Sequence, residues 1–452
     1  MAVAVAILAS SCTFTFSFDD PSPPPPAYAR QESDPVGVTT SAIQRYWDRT
    51  YPEIYDGAYE PIPEGRLYAA GASEVTVPPC QGRVIGEAAW KDNAFYCFRD
   101  DFVAYDARQN GLIERMHLSF GLPAVGAIFA HEWGHAIQDR AGNINVPAIY
   151  AELQADCFAG AWVGHVAAGG APSVELRPGE LDQVLGAVLS FRDVPGSRPG
   201  AADAHGSGFD RVAAFQEGYD DGASACVGYF DEPPFITEVP FTRAEARTQG
   251  DLMAPKVLPA SVELLNDFFS RVERQTYEPI AVAKVFSFDP SKPPNEFPDC
   301  GATTLVADQL EGTVFFCDQD EYVVVDVDYL QRIYEEVGDF GVTTLLAVPW
   351  GAYVQRLKGI EAGSDAAARA ADCYAGGFAY GMVTGKLRSP TLRGRVSLSA
   401  GDLDEAIAAF VDADQRAGGG GDVVFARVNA FRGGFFDGYR SCDRAWGLAA
   451  GT

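Results

Sequence analysis

Two histidines and a glutamate in FAHEWGHAIQ, Phe129 to Gln138, have the types and spacing of a zinc site. His131 and His135 are four residues apart, so on a helix both imidazoles lie on one face and can reach one ion. Glu132, between them, is placed to contact a water molecule bound to that ion. The segment therefore predicts a zinc ion that activates water, with Glu132 as the general base.

A third zinc ligand is expected from the segment NVPAIYAELQADCFAGAWVGH, which follows the histidines. If the two segments form an antiparallel helical hairpin that turns near Ile144, Glu152 lies level with His135. His131, His135 and Glu152 would leave a fourth coordination position for water, which is the gluzincin type of catalytic site.

Two further residues each have two interpretations. Asp156 lies level with His131 in the same hairpin, where it either accepts the second ring N–H of that imidazole or packs and caps the helix. His205, in AHGSGFDRV, either stabilises the oxyanion formed during hydrolysis or caps the helix that follows it. His117 and His165 are interpreted as structural.

Prolines and glycines predict where the helices that carry these residues begin and end. Pro123 suits the first turn of the histidine helix, and Gly142 suits its C-terminal stop, which gives about five turns. Pro147 then marks the start of the helix that carries Glu152 and Asp156.

The cysteines indicate that the chain repeats itself. Apart from Cys12 there are two sets of four, and the first and last intervals have the same lengths in both sets. Two disulfides in each set are expected, with buried free thiols as the alternative. The expected pairs are Cys80–Cys97, Cys157–Cys226, Cys300–Cys317 and Cys373–Cys442.

Longer motifs recur with a similar offset, such as ADCFAG and ADCYAG, and they predict two tandem domains. The predicted class is α+β, with mostly helical domains that each contain a small sheet. The predicted divisions are a leader at 1–34, domain one at 35–235, a linker at 236–250 and domain two at 251–447.

The second copy lacks the chemistry of the first. Alignment on the shared Trp-Gly and Ala-Asp-Cys motifs places a residue that cannot bind zinc at each ligand and at the base. A proline inside a helix costs about 3 kcal/mol or more, so this helix is predicted to be kinked at Pro349 or to begin there. The replacing residues are Val348, Pro349, Ala352 and Ala368.

Residues that both copies keep are interpreted as scaffold, because the second copy has no metal to position. Trp133, Gly134 and Gln138 are therefore expected to pack the helices; their counterparts are Trp350, Gly351 and Gln355.

The N-terminal run MAVAVAILASSC and the proline-rich segment after it resemble a bacterial lipoprotein leader, with Cys12 as the lipidated residue. A truncated signal peptide is the alternative. No other stretch reaches the ~18 to 20 apolar residues of a membrane helix. The net charge of −28 would repel nucleic acid and anionic membrane surfaces. The sequence predicts an exported protein of the cell envelope or the extracellular space.

Four motifs together resemble the bacterial neutral zinc metallopeptidases: AFYCFRDDFVAYD from Ala94, HEWGHAIQ from His131, ELQADCFAG from Glu152 and HGSG from His205. The resemblance implies a zincin-like fold, zinc on His131, His135 and Glu152, and Glu132 as base. It also implies that the DFVAYD strand edges the cleft and pairs with an extended substrate.

These features predict an exported zinc-dependent endopeptidase that cleaves peptide or protein substrates. The second domain would pack against the catalytic one, shape its cleft or bind a partner. The alternative is a non-catalytic envelope binding or scaffold protein that keeps a zinc site. Retention of Glu132 favours the enzyme, because a structural zinc site needs no base and usually closes its fourth position.

Overall fold

The computed structural model of the chain describes residues 34–73, 75–143, 146–201, 204–272, 284–361, 363–417 and 421–448. Cys12 and the expected turn at Ile144 lie outside these residues, so the lipid anchor and the turn stay predictions. The chain divides into two compact units, Met1–Val239 and Pro240–Thr452. Within the ranges given above, no helix is both long enough and apolar enough to cross a membrane.

The first unit combines helices with one small sheet. Its elements are α1 (Pro35–Ile54), β1 (Leu67–Ala70), α2 (Glu87–Trp90), β2 (Ala94–Cys97), β3 (Phe102–Asp106), α3 (Leu112–Arg140), α4 (Ala148–Ala167), α5 (Glu180–Leu189), α6 (Gly208–Asp221) and α7 (Ala223–Cys226).

The second unit has a similar composition, and the two together confirm the α+β class. Its elements are α8 (Ala254–Val272), β4 (Lys284–Phe288), β5 (Asp299–Cys300), β6 (Thr303–Thr304), α9 (Ala307–Leu310), β7 (Val314–Cys317), β8 (Tyr322–Asp326), α10 (Val327–Glu336), α11 (Asp339–Leu357), α12 (Asp365–Val383), β9 (Arg388–Ser389), β10 (Gly394–Arg395), α13 (Asp402–Arg416), α14 (Val423–Asp437) and α15 (Cys442–Ala445).

The main sheet of the first unit has the order β1-β3-β2, with β3 parallel to β1 and antiparallel to β2. β3 is the DFVAYD strand, so the expectation that it forms an edge is wrong. The short strand β1, which the sequence pattern did not reveal, pairs with its other side. β2 is the edge strand, and it contacts α3. The second unit repeats this arrangement in the order β4-β8-β7.

A buried central helix organises each unit. In α4 every residue from Leu153 to Val163 is buried, because α3 and α6 pack against it. α12 is buried in the same way between α11 and α14. The predicted helices around the histidines and Glu152 thus form the α3–α4 pair at the centre of the first unit.

The long helices α3 and α11 differ at two places from expectation. α3 begins at Leu112 and breaks at Gly121, whose φ of 82° and ψ of −177° are not helical, so the predicted histidine helix is the part after this break. α11 begins at Asp339 and runs through Pro349, so the expectation that it begins at this proline is wrong. Packing on both sides offsets the hydrogen bond that the proline removes.

The four expected disulfides are present, which confirms the pairing and rejects the free-thiol alternative. They are Cys80–Cys97, Cys157–Cys226, Cys300–Cys317 and Cys373–Cys442. Cys157–Cys226 and Cys373–Cys442, the two long-range disulfides, each join the central helix of a unit to the C-terminal part of that unit. Disulfides persist mainly in oxidising compartments, so these bonds support an exported protein.

Candidate metal centre and active site

The α3–α4 pair brings two imidazoles and a carboxylate together. The Nε2 atom of His131 lies 3.3 Å from Glu152 Oε2, and that of His135 lies 3.4 Å from Glu152 Oε1. One ligand atom from each side chain lies within 4.8 Å of the other two. The predicted register of the two helices, with Glu152 level with the histidines, is the register in the structure.

The spacing of these atoms fits a tetrahedral ion. Two donors at about 2.0 to 2.1 Å from one tetrahedral zinc lie about 3.3 Å apart, which matches both Nε2–Oε distances. Two imidazoles with one carboxylate is also a ligand set of catalytic zinc sites. The residues present therefore fit the ion that the sequence motif implies.

The other ring nitrogen of each histidine has a partner that fixes the ring. His131 Nδ1 lies 2.8 Å from Asp156 Oδ1, and His135 Nδ1 lies 3.0 Å from Gln138 Oε1. Both partners are acceptors, so each Nδ1 carries a proton, and each Nε2 is the nitrogen that can bind an ion once it has lost its own proton.

Asp156 orients His131 and also packs the helices, so both of its interpretations hold. It accepts hydrogen bonds from Arg211 Nε and Nη2, each at 2.8 Å, and this pair is buried. The second unit keeps the pair, since Arg427 Nη2 lies 3.0 Å from Asp372 Oδ1. The aspartate–arginine pair is shared, and the contact to a histidine is added in the first unit.

Gln138 has a role that the sequence analysis missed. Its Nε2 donates to the Ala151 carbonyl at 2.6 Å, which is the expected packing between helices and matches Gln355 and Ala367 in the second unit. Its Oε1 also holds His135, as described above. The i, i+3 spacing of the two residues on one helix could have indicated this contact.

Glu132 is buried beside the imidazoles and is held by the sheet. The backbone N–H of Tyr96 in β2 donates to Glu132 Oε2 at 2.8 Å. Burial raises the pKa of the Glu132 carboxyl, although the two histidines oppose this shift. Because the Tyr96 N–H points to Glu132 and not to β3, the outer edge of β2 faces the site.

The site attracts positive charge. Burial disfavours the protonated form of His131, but the Asp156 and Glu152 carboxylates outweigh burial and raise its pKa to about 10. Burial opposes ionisation of Glu152, but His135 and His205 hold the pKa of this carboxyl well below its usual range. A bound cation would supply the positive charge that these groups otherwise take from protons.

His205 lies at the exposed side of this cluster, with 41% of its side chain accessible. Its backbone N–H donates to Asp193 Oδ2 at 2.7 Å, and its Nδ1 lies 3.3 Å from Asp193 Oδ1. Ser207 caps α6 instead, since its side chain accepts from the Asp210 N–H. The capping interpretation of His205 is therefore wrong, and the oxyanion role stays a prediction.

The residues interpreted as scaffold lie in the interior. Trp133 is fully buried, and a Cβ on Gly134 would lie only 2.7 Å from Ala155 Cα, so this glycine allows α3 and α4 to approach closely. His117 is buried in the first part of α3, and His165 packs against Tyr46. The buried positions of Trp133, Gly134 and His117, and the half-buried position of His165 against Tyr46, agree with packing roles.

Comparisons with known proteins show similarity in the first unit. Residues 73–230 match the model of the family described as "Putative neutral zinc metallopeptidase". The "Uncharacterized protein YpfJ" of Escherichia coli strain K12 is 29% identical over 157 residues, which cover 29% of this chain and 52% of that protein. The YpfJ protein of Escherichia coli O6:H1 gives the same values. No solved structure matches the chain.

The matched segment lies within the first unit and contains β2, β3 and the helices of the site. This part of the chain is similar to the neutral zinc metallopeptidase family. The chain spans about half the length of the curated relatives it matches.

Proposed function

We propose that the first unit is a zinc-dependent peptidase and that the protein acts outside the cytoplasm. The observation that carries this proposal is the convergence of three donor atoms beside the buried carboxylate of Glu132. His131, His135 and Glu152 would hold the ion. Bound there, Zn²⁺ would make a water molecule acidic at neutral pH and polarise the carbonyl of the scissile bond.

Glu132 is the general base in this proposal. The Tyr96 amide fixes one oxygen of its carboxylate, so the other oxygen accepts the proton of the attacking water and later gives it to the leaving amine. Asp156 and Gln138 hold the two imidazoles so that they keep one tautomer during the reaction.

His205 is proposed to donate a hydrogen bond to the oxyanion of the substrate. Asp193 fixes the ring through its contact with Nδ1, which leaves Nε2 for the substrate. The His205 side chain is partly exposed, and its charge acts on the Glu152 carboxylate. Both observations support this role.

The outer edge of β2 is proposed to bind an extended peptide. Backbone groups on a free edge recognise a peptide through main-chain hydrogen bonds, largely without regard to side chains. The Tyr96 N–H bond to Glu132 places that edge directly beside the base. The four disulfides support export, and lipidation at Cys12 would anchor the chain to a membrane.

The substitution Glu132→Gln tests the proposal. The variant should keep one zinc per chain and lose about 10² to 10⁴ in hydrolysis rate, because the ligands remain and the base is removed. Zinc is measured by elemental analysis, and hydrolysis is measured with a peptide library.

The same measurements on the wild-type protein separate a peptidase from a non-catalytic scaffold. Stoichiometric zinc without hydrolysis of any library member, in both proteins, would favour the non-catalytic alternative. An unchanged rate in Glu132→Gln would reject the assignment of the base.

A further inference from the structure

The second unit contains a different group of charged side chains, where α11 and α13 begin. One carboxylate oxygen from each of Asp251, Asp339 and Glu405 lies within 4.8 Å of the other two. Asp402, in the first turn of α13, acts electrostatically on both Asp339 and Glu405. Asp251, Asp339, Asp402 and Glu405 together form the acidic cluster. They lie at the N-terminal end of α11, whereas Val348 and Ala352, which correspond to the two histidine ligands, lie near its middle.

One oxygen of the acidic cluster lacks a partner. Asp339 is 8% exposed, and its Oδ2 accepts from the Leu252 N–H at 3.0 Å, while its Oδ1 is buried and has no hydrogen-bond partner among the residues that the structure describes. A buried carboxylate oxygen without a partner costs about 1 to 3 kcal/mol or more, so such a group usually has a ligand or water in the folded protein.

The acidic cluster also lacks a balancing charge. In the part of the chain that the structure describes, no lysine, arginine or histidine forms an ion pair with any of its four members. The N-termini of α11 and α13 offset part of the negative charge. Burial nevertheless raises the pKa of Asp339 to about 6, and Asp251 adds to this shift.

The shared fold does not require an acid at position 339. Gly121 and Gly338 mark the same point of the two units, because each has an extended ψ near 180° with a positive φ and directly precedes the long central part of its helix. Leu122 therefore stands in the first unit where Asp339 stands in the second.

The helices α5 and α13 also differ in charge, and again the second unit is the more acidic. α5 and α13 each follow a glycine in the left-handed conformation, which aligns Glu180 with Asp402 and Gln183 with Glu405. Glu180 has a cationic partner, since Arg177 Nη1 lies 3.9 Å from its Oε1. The second unit thus has more carboxylates here and lacks the arginine contact.

We propose that Asp251, Asp339 and Glu405 bind a divalent cation of the Ca²⁺ type in the second unit. Oxygen-only donors suit hard cations, whereas zinc prefers sites with nitrogen or sulfur. Two oxygens on opposite sides of one Ca²⁺ lie about 4.8 Å apart, so the spread of the three donor oxygens fits inside one coordination sphere. The role would be structural: the ion would tie the entry to α8 to the starts of α11 and α13. This inference does not depend on the peptidase proposal.

Calorimetric titration of the metal-free full chain with CaCl₂ tests the inference. The wild type should bind one Ca²⁺ with a dissociation constant of about 10⁻⁶ to 10⁻³ M, and Asp339→Asn should bind it at least about tenfold more weakly. MgCl₂ should bind more weakly than CaCl₂. Glu311→Gln removes an exposed acid from the same unit and should leave binding unchanged, which controls for the net charge.

Thermal unfolding separates a cation site from a proton-sharing cluster. Without Ca²⁺, Asp339→Asn should unfold at the same or a higher temperature than the wild type, because it removes buried repulsion. At saturating Ca²⁺ the wild type should gain about 5 °C or more and become the more stable protein. No gain in the wild type, or equal Ca²⁺ binding by Asp339→Asn, would overturn the inference.

Discussion

The helix pairs α3–α4 and α11–α12 share their packing and differ in their chemistry. A Cβ on Gly134 would lie 2.7 Å from the Cα of Ala155, and one on Gly351 would lie 3.0 Å from the Cα of Ala371, so both pairs approach closely through a glycine. The bond from a glutamine Nε2 to a carbonyl of the facing helix also occurs in both pairs. The scaffold thus forms without imidazoles, and residues found in both pairs serve packing first.

The comparison of the two helix pairs also shows that Asp156 has two roles, one in packing and one in positioning a histidine. Asp156 and Asp372 each bind an arginine, Arg211 or Arg427, but only Asp156 also contacts an imidazole. The aspartate thus packs against an arginine in both units, and in the first unit it also positions a histidine. Matched substitutions in the two units can separate these roles.

The largest expected effect comes from removing the third ligand with Glu152→Ala. Without its carboxylate, only two imidazoles remain, so the variant should lose most of its zinc and its hydrolysis. The loss in zinc affinity should exceed the about 10- to 100-fold loss typical of residues that only support ligands. Elemental analysis after dialysis measures the zinc. Retention of one zinc per chain would show that a different group completes the site.

The next effect concerns the long-range disulfides, which are equivalent in the two units. Removing Cys373–Cys442 by a double substitution to alanine should cost about 4 kcal/mol of unfolding free energy, because the bond closes a loop of 69 residues. Denaturant unfolding measures this loss. Zinc content should stay unchanged in the folded protein, whereas removal of Cys157–Cys226 should weaken zinc binding. Equal zinc loss in both variants would mean that the site needs the second unit.

A smaller effect is expected from the aspartates. Asp156→Asn should weaken zinc binding by about 10- to 100-fold, because the His131 ring loses its charged partner. Asp372→Asn removes the same kind of buried arginine partner and should leave zinc affinity unchanged. Competition with a zinc chelator measures the affinities. Equal effects in the two variants would show that Asp156 acts only through the stability of the fold.

The smallest effect is expected from the glutamines. Gln138→Ala and Gln355→Ala each remove one bond to a helix carbonyl and should destabilise the chain by about 1 kcal/mol. Only Gln138→Ala should also lower zinc affinity, by about tenfold, because His135 loses its acceptor. An unchanged zinc affinity would return Gln138 to a packing role alone.

Local spacing in the sequence predicted the centre of the site. The i, i+4 histidines, the hairpin register of Glu152 and the cysteine intervals depend on helix geometry and on repetition, which a single sequence displays. The position of β3 could not be predicted in this way, because β1 is short and its parallel pairing with β3 is nonlocal. The predicted helix start at Pro349 was wrong because tertiary packing holds α11 together against the local preference of proline; the alternative, a kink at Pro349, stays a prediction.

Contacts that join distant segments were also missed. The Tyr96 N–H bond to Glu132 depends on how the sheet packs on α3, and the acidic cluster depends on three segments that meet only in the fold. His205 was placed near the site by its motif, but its partner Asp193 lies 12 residues earlier in the same α5–α6 connection, and no regular spacing signals this contact.

X-ray absorption at the zinc edge of the zinc-loaded full chain tests the central claim most directly. The account predicts one zinc per chain with two imidazole nitrogens and two oxygens at about 2.0 to 2.2 Å, one oxygen from Glu152 and one from water. Glu152→Ala should remove this signal. A zinc bound by sulfur, or by a fourth protein side chain instead of water, would contradict the account.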